Sequence, residues 1–218
     1  MSYDVSGVPG ARPVEGTQAR ALFGQVMGLV AVTCGFAALG AWVGRDFDGA
    51  KWILPWIGAI VCLIALNFVN RRSPSLATLL LFAVGFLLGV SIGTTVTYYL
   101  DTQPDVVWQA AGATGLTVAG MGAWGYATRR DLSYLYRILF FALIGLIVFG
   151  LVMIVFNIQG AQTIYALAGI AIFAGYTLVD FNRLRRAGRS EAVPLAAGIF
   201  LDVFNLFLLF LQLFGNNR

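Results

Sequence analysis

The chain has 218 residues, 59% of them hydrophobic and only 11% charged, with a mean hydropathy of +0.83. Soluble domains carry about 25% charged residues, so a soluble globule is excluded and a lipid bilayer is the expected partner. The formal charge of +4 comes from 14 basic and 10 acidic residues with no basic run longer than two, which excludes a nucleic-acid footprint. In chain order, residues 1–21 are polar and rich in Gly and Pro, a composition that predicts a flexible tail. Seven apolar stretches then follow, at 23–43, 52–69, 76–99, 106–127, 134–156, 162–182 and 193–214. Each suits a helix crossing about 30 Å of hydrocarbon at 1.5 Å per residue. Breaks such as Arg71-Arg72-Ser73-Pro74 and Asp101 to Asp105 separate them. The expected architecture is therefore an all-α integral membrane protein, with a tail at 1–21, a seven-helix domain at 22–215 and a short external tail at 216–218.

Orientation follows from the basic residues, which are retained on the cytoplasmic side. Eleven of them (Arg12, Arg20, Arg71, Arg72, Arg129, Arg130, Arg137, Arg183, Arg185, Arg186 and Arg189) fall on one side, and three (Arg45, Lys51 and Arg218) on the other. The amino terminus is thus expected in the cytoplasm, opposite to that of a G-protein-coupled receptor. Lys51, the sole lysine, lies in a loop, where it cannot hold retinal.

No His occurs in the chain. That removes Ser-His and Cys-His catalysis, His-ligated metals and the usual near-neutral proton sensor, so proton chemistry falls to carboxylates. Cys34 and Cys62 lie inside apolar runs and read as small packing residues. Gly89-Val90-Ser91-Ile92-Gly93 matches a hydrolase elbow in letters only: it lies inside a span, without the strand-turn-helix setting or a His. No enzymatic activity is expected. Instead, Gly24 and Gly28, Gly40 and Gly44, and the ladder Gly85, Gly89 and Gly93 recur at four-residue spacing, which marks faces for close helix packing.

Eight of the ten acids fall in loops or the tail; Asp180 and Asp202 do not. An ionised carboxylate inside a span is expensive unless a partner, a cavity or its own proton compensates it. Spans 6 and 7 run antiparallel through a short loop, so both acids enter from the same face and can meet. Two such carboxyls would share a proton. A structural alternative pairs Asp180 with an interfacial arginine and lets a protonated Asp202 donate to a backbone carbonyl or to Asn205.

Four stretches carry a family resemblance: Gly85 to Gly93; Tyr126-Ala127-Thr128-Arg129-Arg130-Asp131-Leu132-Ser133; Gly175 to Asp180; and Leu201-Asp202-Val203-Phe204-Asn205-Leu206-Phe207 with Phe214-Gly215. In their order and placement the chain resembles the bacterial branch of the Bax inhibitor family. The resemblance implies a seven-helix bundle with the last helix central. It also implies a Ca²⁺ leak controlled by pH in a bacterial inner membrane, with no cofactor and Ca²⁺ as the permeant ion. Asp180 and Asp202 take the places of the pH-sensing pair, and once ionised the two carboxylates are expected to serve as transient Ca²⁺ ligands. A basic residue that locks the first acid is also implied, for which Arg71 and Arg72 are the candidates. The chain departs from the family at Asp180-Phe181-Asn182, where Asp-Thr-Gln is common, and at Gly198, where a second acid sometimes stands. Two rival functions remain at this point: a non-conducting regulator of a membrane protein such as a quality-control protease, and a proton-coupled transporter.

Overall fold

Residues 14–47, 51, 53–156 and 160–216 are described by a computed structural model. Seven long helices follow in chain order: α1 Val14–Val43, α2 Ile53–Val69, α3 Pro74–Thr102, α4 Pro104–Ala127, α5 Ser133–Phe156, α6 Ala161–Leu184 and α7 Ala192–Asn216. Among the described residues, short 3-10 turns lie at Gly44–Asp46 after α1 and at Arg189–Glu191 before α7. The apolar stretches anticipate these helices to within three residues, except at the start of α1. There the helix extends back to Val14, so the later part of the expected tail is helical. Pro13 is the last proline before α1, and Glu15, Gln18, Ala19 and Arg20 beyond it outweigh Gly16 and favour helix. Residues 1–13 and 217–218 of the two expected tails lie outside the described residues.

Local chemistry sets several helix ends. Ser73 precedes α3 and its hydroxyl accepts from Leu76 N at 3.4 Å, with Pro74 in the first helical position. Pro104 starts α4 in the same way, which leaves only Gln103 between α3 and α4. Gly160 precedes α6 with φ of 80°, a left-handed conformation that glycine adopts without strain.

Five helices, α1, α3, α5, α6 and α7, are long and apolar enough to cross a membrane. At 17 residues α2 is shorter, and α4 has the length but is diluted by Gly, Thr and Ala. The outer surface is apolar: Leu54, Phe68, Leu116 and Ile154 are each more than 70% exposed. Helix α5 packs on α6 and buries only Leu146. Such a surface far exceeds the apolar patch a soluble monomer exposes. The chain is a multi-pass membrane protein.

Helix α7 occupies the middle, in contact with α1, α2, α3, α4 and α6. It contributes to each buried cluster along the bundle. Leu195, Ala196 and Ile199 meet Leu22, Val26 and Leu81; Phe200 meets Ala59 and Val84; Leu211 meets Val106 and Ala110. Around it, α1 and α3 approach through glycine. A β-carbon at Gly40 or Gly44 would strike the backbone of Phe86 or Val90, and one at Gly85 or Gly89 the backbone of Thr33 or Ala37. Gly93 sits as closely against Ala41, Gly44 and Arg45. Gly24 and Gly28, with the same spacing, meet nothing within 4 Å.

Gly89→Ala is therefore expected to force α1 and α3 apart and to cost about 1–3 kcal/mol, as overpacked cores do. Gly112→Ala, at a site with nothing within 4 Å, is expected to be neutral or to stabilise by up to about 1 kcal/mol through helix propensity. Thermal melting of the two purified variants in detergent checks the contrast.

Candidate functional site

The last two turns of α6 and the first half of α7 carry most of the buried polar chemistry. Two glycines draw the neighbouring helices onto α6. Gly125 of α4 lies against the backbone of Leu178, and Gly175 of α6 lets the Leu139 side chain of α5 come to 2.8 Å of where its β-carbon would be. Tyr136, one turn before Leu139 on α5, is thereby placed over α6. Its hydroxyl donates to Asp180 Oδ1 at 3.1 Å, and its ring meets that of Tyr176 edge-on at 5.3 Å.

Asp180 is 2% exposed and Asp202 5%, so the structure brings both acids into the interior at the α6–α7 contact. With Oδ1 occupied by Tyr136, Oδ2 of Asp180 faces α7 at Gly198, where an added β-carbon would lie 2.5 Å away. Asp202 follows Gly198 by one helical turn on the same face. Among the described residues no donor reaches Asp202 Oδ2, which is buried. Thr177 stands beside the Asp202 carboxyl, and its own hydroxyl donates to Phe173 O at 2.9 Å. A carboxyl oxygen buried without a donor is costly as a charge and cheap if the pair holds a proton.

The other expected partners are placed differently. Arg71 and Arg72 are exposed in the turn between α2 and α3. Arg183 stands one turn beyond Asp180 along α6, half exposed and turned toward Glu191. Its guanidinium lies 5.9 Å from the Tyr136 ring centroid and 3.5 Å from Glu191 Oε2. Asn205 Nδ2 donates to Leu201 O of its own helix at 2.7 Å. No group of three or more Asp, Glu or Cys side chains that could hold a metal gathers among the described residues.

Asn182 has a task of its own. It is 1% exposed, and its Nδ2 donates to Gly125 O at 3.1 Å, Thr128 O at 2.9 Å and Arg130 O at 3.1 Å. Its Oδ1 accepts from Leu132 N at 3.1 Å and from Arg186 Nη2. One amide thus satisfies carbonyls that the end of α4 leaves open and pins the α4–α5 connection to α6. Tyr136 does not stand out in the sequence, because a tyrosine near a span end is common, and the Asp180-Phe181-Asn182 stretch does not by itself show which carbonyls Asn182 reaches.

Outside the bundle, Arg186 Nη2 pairs with Asp131 Oδ1 at 3.0 Å. Hydrogen bonds from Arg186 and Ser133 hold the Asp131 carboxyl well below the usual carboxylate range. The contribution of this pair is thus complete above about pH 4, the ordinary Asp value, and is lost only as pH falls through the lowered folded value. Asp131 stays ionised from pH 5 to 8, so Asp131→Asn is expected to leave any pH response in that range unchanged. Asn182→Ala is expected to lower stability by at least about 1–3 kcal/mol, the cost of stranding a buried polar group. It should also speed tryptic cleavage at Arg129 and Arg130, which a digestion time course measures.

The family described as inhibitor of apoptosis-promoting Bax1 matches residues 19–218. Among its relatives, the inner membrane protein YbhL of Escherichia coli K12 is 29% identical over 178 residues, covering 74% of this chain and 75% of its own. An uncharacterized membrane protein of Vibrio cholerae is 26% identical over 170 residues, 75% of this chain and 76% of its own. A protein of Chlamydia muridarum is 27% identical over 221 residues, 93% of this chain and 92% of its own. With nearly its whole length matched, the chain belongs to the Bax inhibitor family.

Proposed function

We propose that the protein is a pH-sensitive Ca²⁺ leak channel in which Asp180 and Asp202 form the gate. The observation that carries this reading is the buried Oδ2 of Asp202, without a donor, on the α7 face that meets Asp180. A proton held by the pair satisfies that oxygen and ties α6 to α7, and the path is shut. Raising the pH removes the proton. Two adjacent carboxylates in a medium of low dielectric then repel each other, the helices part, and the same oxygens become hard ligands for a passing Ca²⁺. The ion is cargo, not a resident cofactor.

In this reading α2 and α4 also cross the bilayer, to give seven spans with the amino terminus and the arginine-rich connections in the cytoplasm. Tyr136 holds one oxygen of Asp180 and leaves the other free to face α7. Gly198 fits the scheme on steric grounds, since any side chain there would occupy the space of Asp180 Oδ2.

The test is Ca²⁺ entry into dye-loaded liposomes containing the purified protein, scanned from about pH 5 to 8. Flux is expected to rise with pH in the native protein and to lose that dependence in Asp180→Asn and Asp202→Asn. Gly198→Ala, which keeps both acids, is expected to flatten the profile by displacing Asp180. An unchanged profile in both Asn variants sinks the proton-sharing gate. Absence of flux at every pH from folded, inserted protein favours the partner-binding regulator.

A further inference from the structure

A cleft of about 1010 Å³ runs along the side of the bundle between α1 and α4. Its floor is α7, through Phe200, Val203, Phe204 and Phe207. Its walls are small residues such as Ala38 of α1 and Gly115 and Ala119 of α4, all three exposed, so the cleft opens sideways onto lipid. It lies at the upper end of the roughly 300–1,000 Å³ typical of small-molecule sites, and neither Asp180 nor Asp202 lines it.

The lining restricts what can fill it. The Thr114 hydroxyl is spent on Ala110 O at 2.7 Å, and nearly all the remaining surface is apolar. Water needs two to four polar partners to reside in a cavity and finds few here. A void would forfeit the dispersion contacts of both walls. The bilayer supplies a filler whose shape matches a long, narrow, apolar trough.

Polarity is confined to one end. Arg20 lines the cleft there, beside Phe23, Tyr126 and Ala127, and Arg185 Nη1 donates to Ala127 O at 3.4 Å. The opposite end, at Ala41, Val96 and Ala111, carries no charge. The Arg20 guanidinium in the lining, with that of Arg185 on the carbonyl of the lining residue Ala127, complements a phosphate joined to an acyl chain.

We propose that this cleft binds an anionic phospholipid, with an acyl chain along α7 and its phosphate between Arg20 and Arg185. The site is separate from the carboxyl pair, and its test does not depend on ion flux.

Native mass spectrometry of the full chain in mild detergent, titrated with phosphatidylglycerol or phosphatidylcholine, provides the test. The native protein is expected to retain one phosphatidylglycerol per chain, preferred over phosphatidylcholine. Arg20→Gln should reduce that preference about fivefold, the worth of one interfacial basic residue. Gly115→Leu fills the trough from a position whose β-carbon meets nothing within 4 Å, and should abolish retention of both lipids while the melting temperature holds. Ala38→Leu gives the same readout from the opposite wall and serves if Gly115→Leu does not fold. Equal retention of the two lipids by the native protein would overturn the proposal. So would undiminished phosphatidylglycerol in the filled variants, or a co-purifying apolar helix in place of lipid.

Discussion

In a bilayer the apolar side chains of α5 gain nothing by leaving lipid, so this bundle depends on interactions that apolar burial does not supply. The first is backbone contact. Gly40, Gly44, Gly85, Gly89 and Gly93 bring α1 and α3 close enough that no β-carbon fits between them, and Gly125 does the same for α4 against α6. The second is polar matching across helices. Tyr136 reaches from α5 to Asp180 on α6, and Asn182 reaches from α6 to three carbonyls in and after α4. With α1 and α3 clasped on one side and α4, α5 and α6 on the other, α7 is held between them and its first half faces α6.

That arrangement gives one short stretch of α6 two opposite duties. Asn182 is fully satisfied and anchors the α4–α5 connection, which Arg186 and Asp131 reinforce from outside. Asp180, less than a turn away, has one oxygen secured and the other turned toward α7. A rigid anchor beside a carboxyl that faces α7 suits the proposed switch, because a change in charge would act against a fixed support. In the proposed gate, Gly198 belongs to the same device. A second acid there would add negative charge, but its β-carbon alone would displace the Asp180 carboxyl. The lateral cleft between α1 and α4 meets the other side of α7, so the proposed lipid and the two carboxyls would lie against opposite faces of one helix.

Much of this was legible in the residues. The breaks at charges and prolines located the helices closely, since a polar group inside hydrocarbon is costly enough to mark each boundary. The two acids were legible for the same reason: nothing nearby in the chain neutralises Asp202. What remained hidden depended on rotation and crossing angle, which spacing along one helix does not encode. Gly24 and Gly28 have the spacing of Gly85 and Gly89 but face outward. Arg71 and Arg72 are exposed in the turn between α2 and α3, and Arg183, a turn from Asp180, pairs with Glu191. Asn205, three residues after Asp202, turns its amide to its own helix. Tyr136 is 44 residues from Asp180, and the start of α1 at Val14 shows helix propensity prevailing over a polar composition.

The central claim is that a proton resides on the Asp180–Asp202 pair and leaves as the pH rises. Infrared difference spectroscopy of the purified protein reads this directly through the carbonyl stretch of protonated carboxyls. Solvent-exposed acids are ionised above about pH 5. The account predicts a protonated-carboxyl band at the acidic end of that range that fades toward pH 8 in the native protein and is missing from Asp202→Asn. A native spectrum without such a band, or a band that survives in Asp202→Asn, would contradict it.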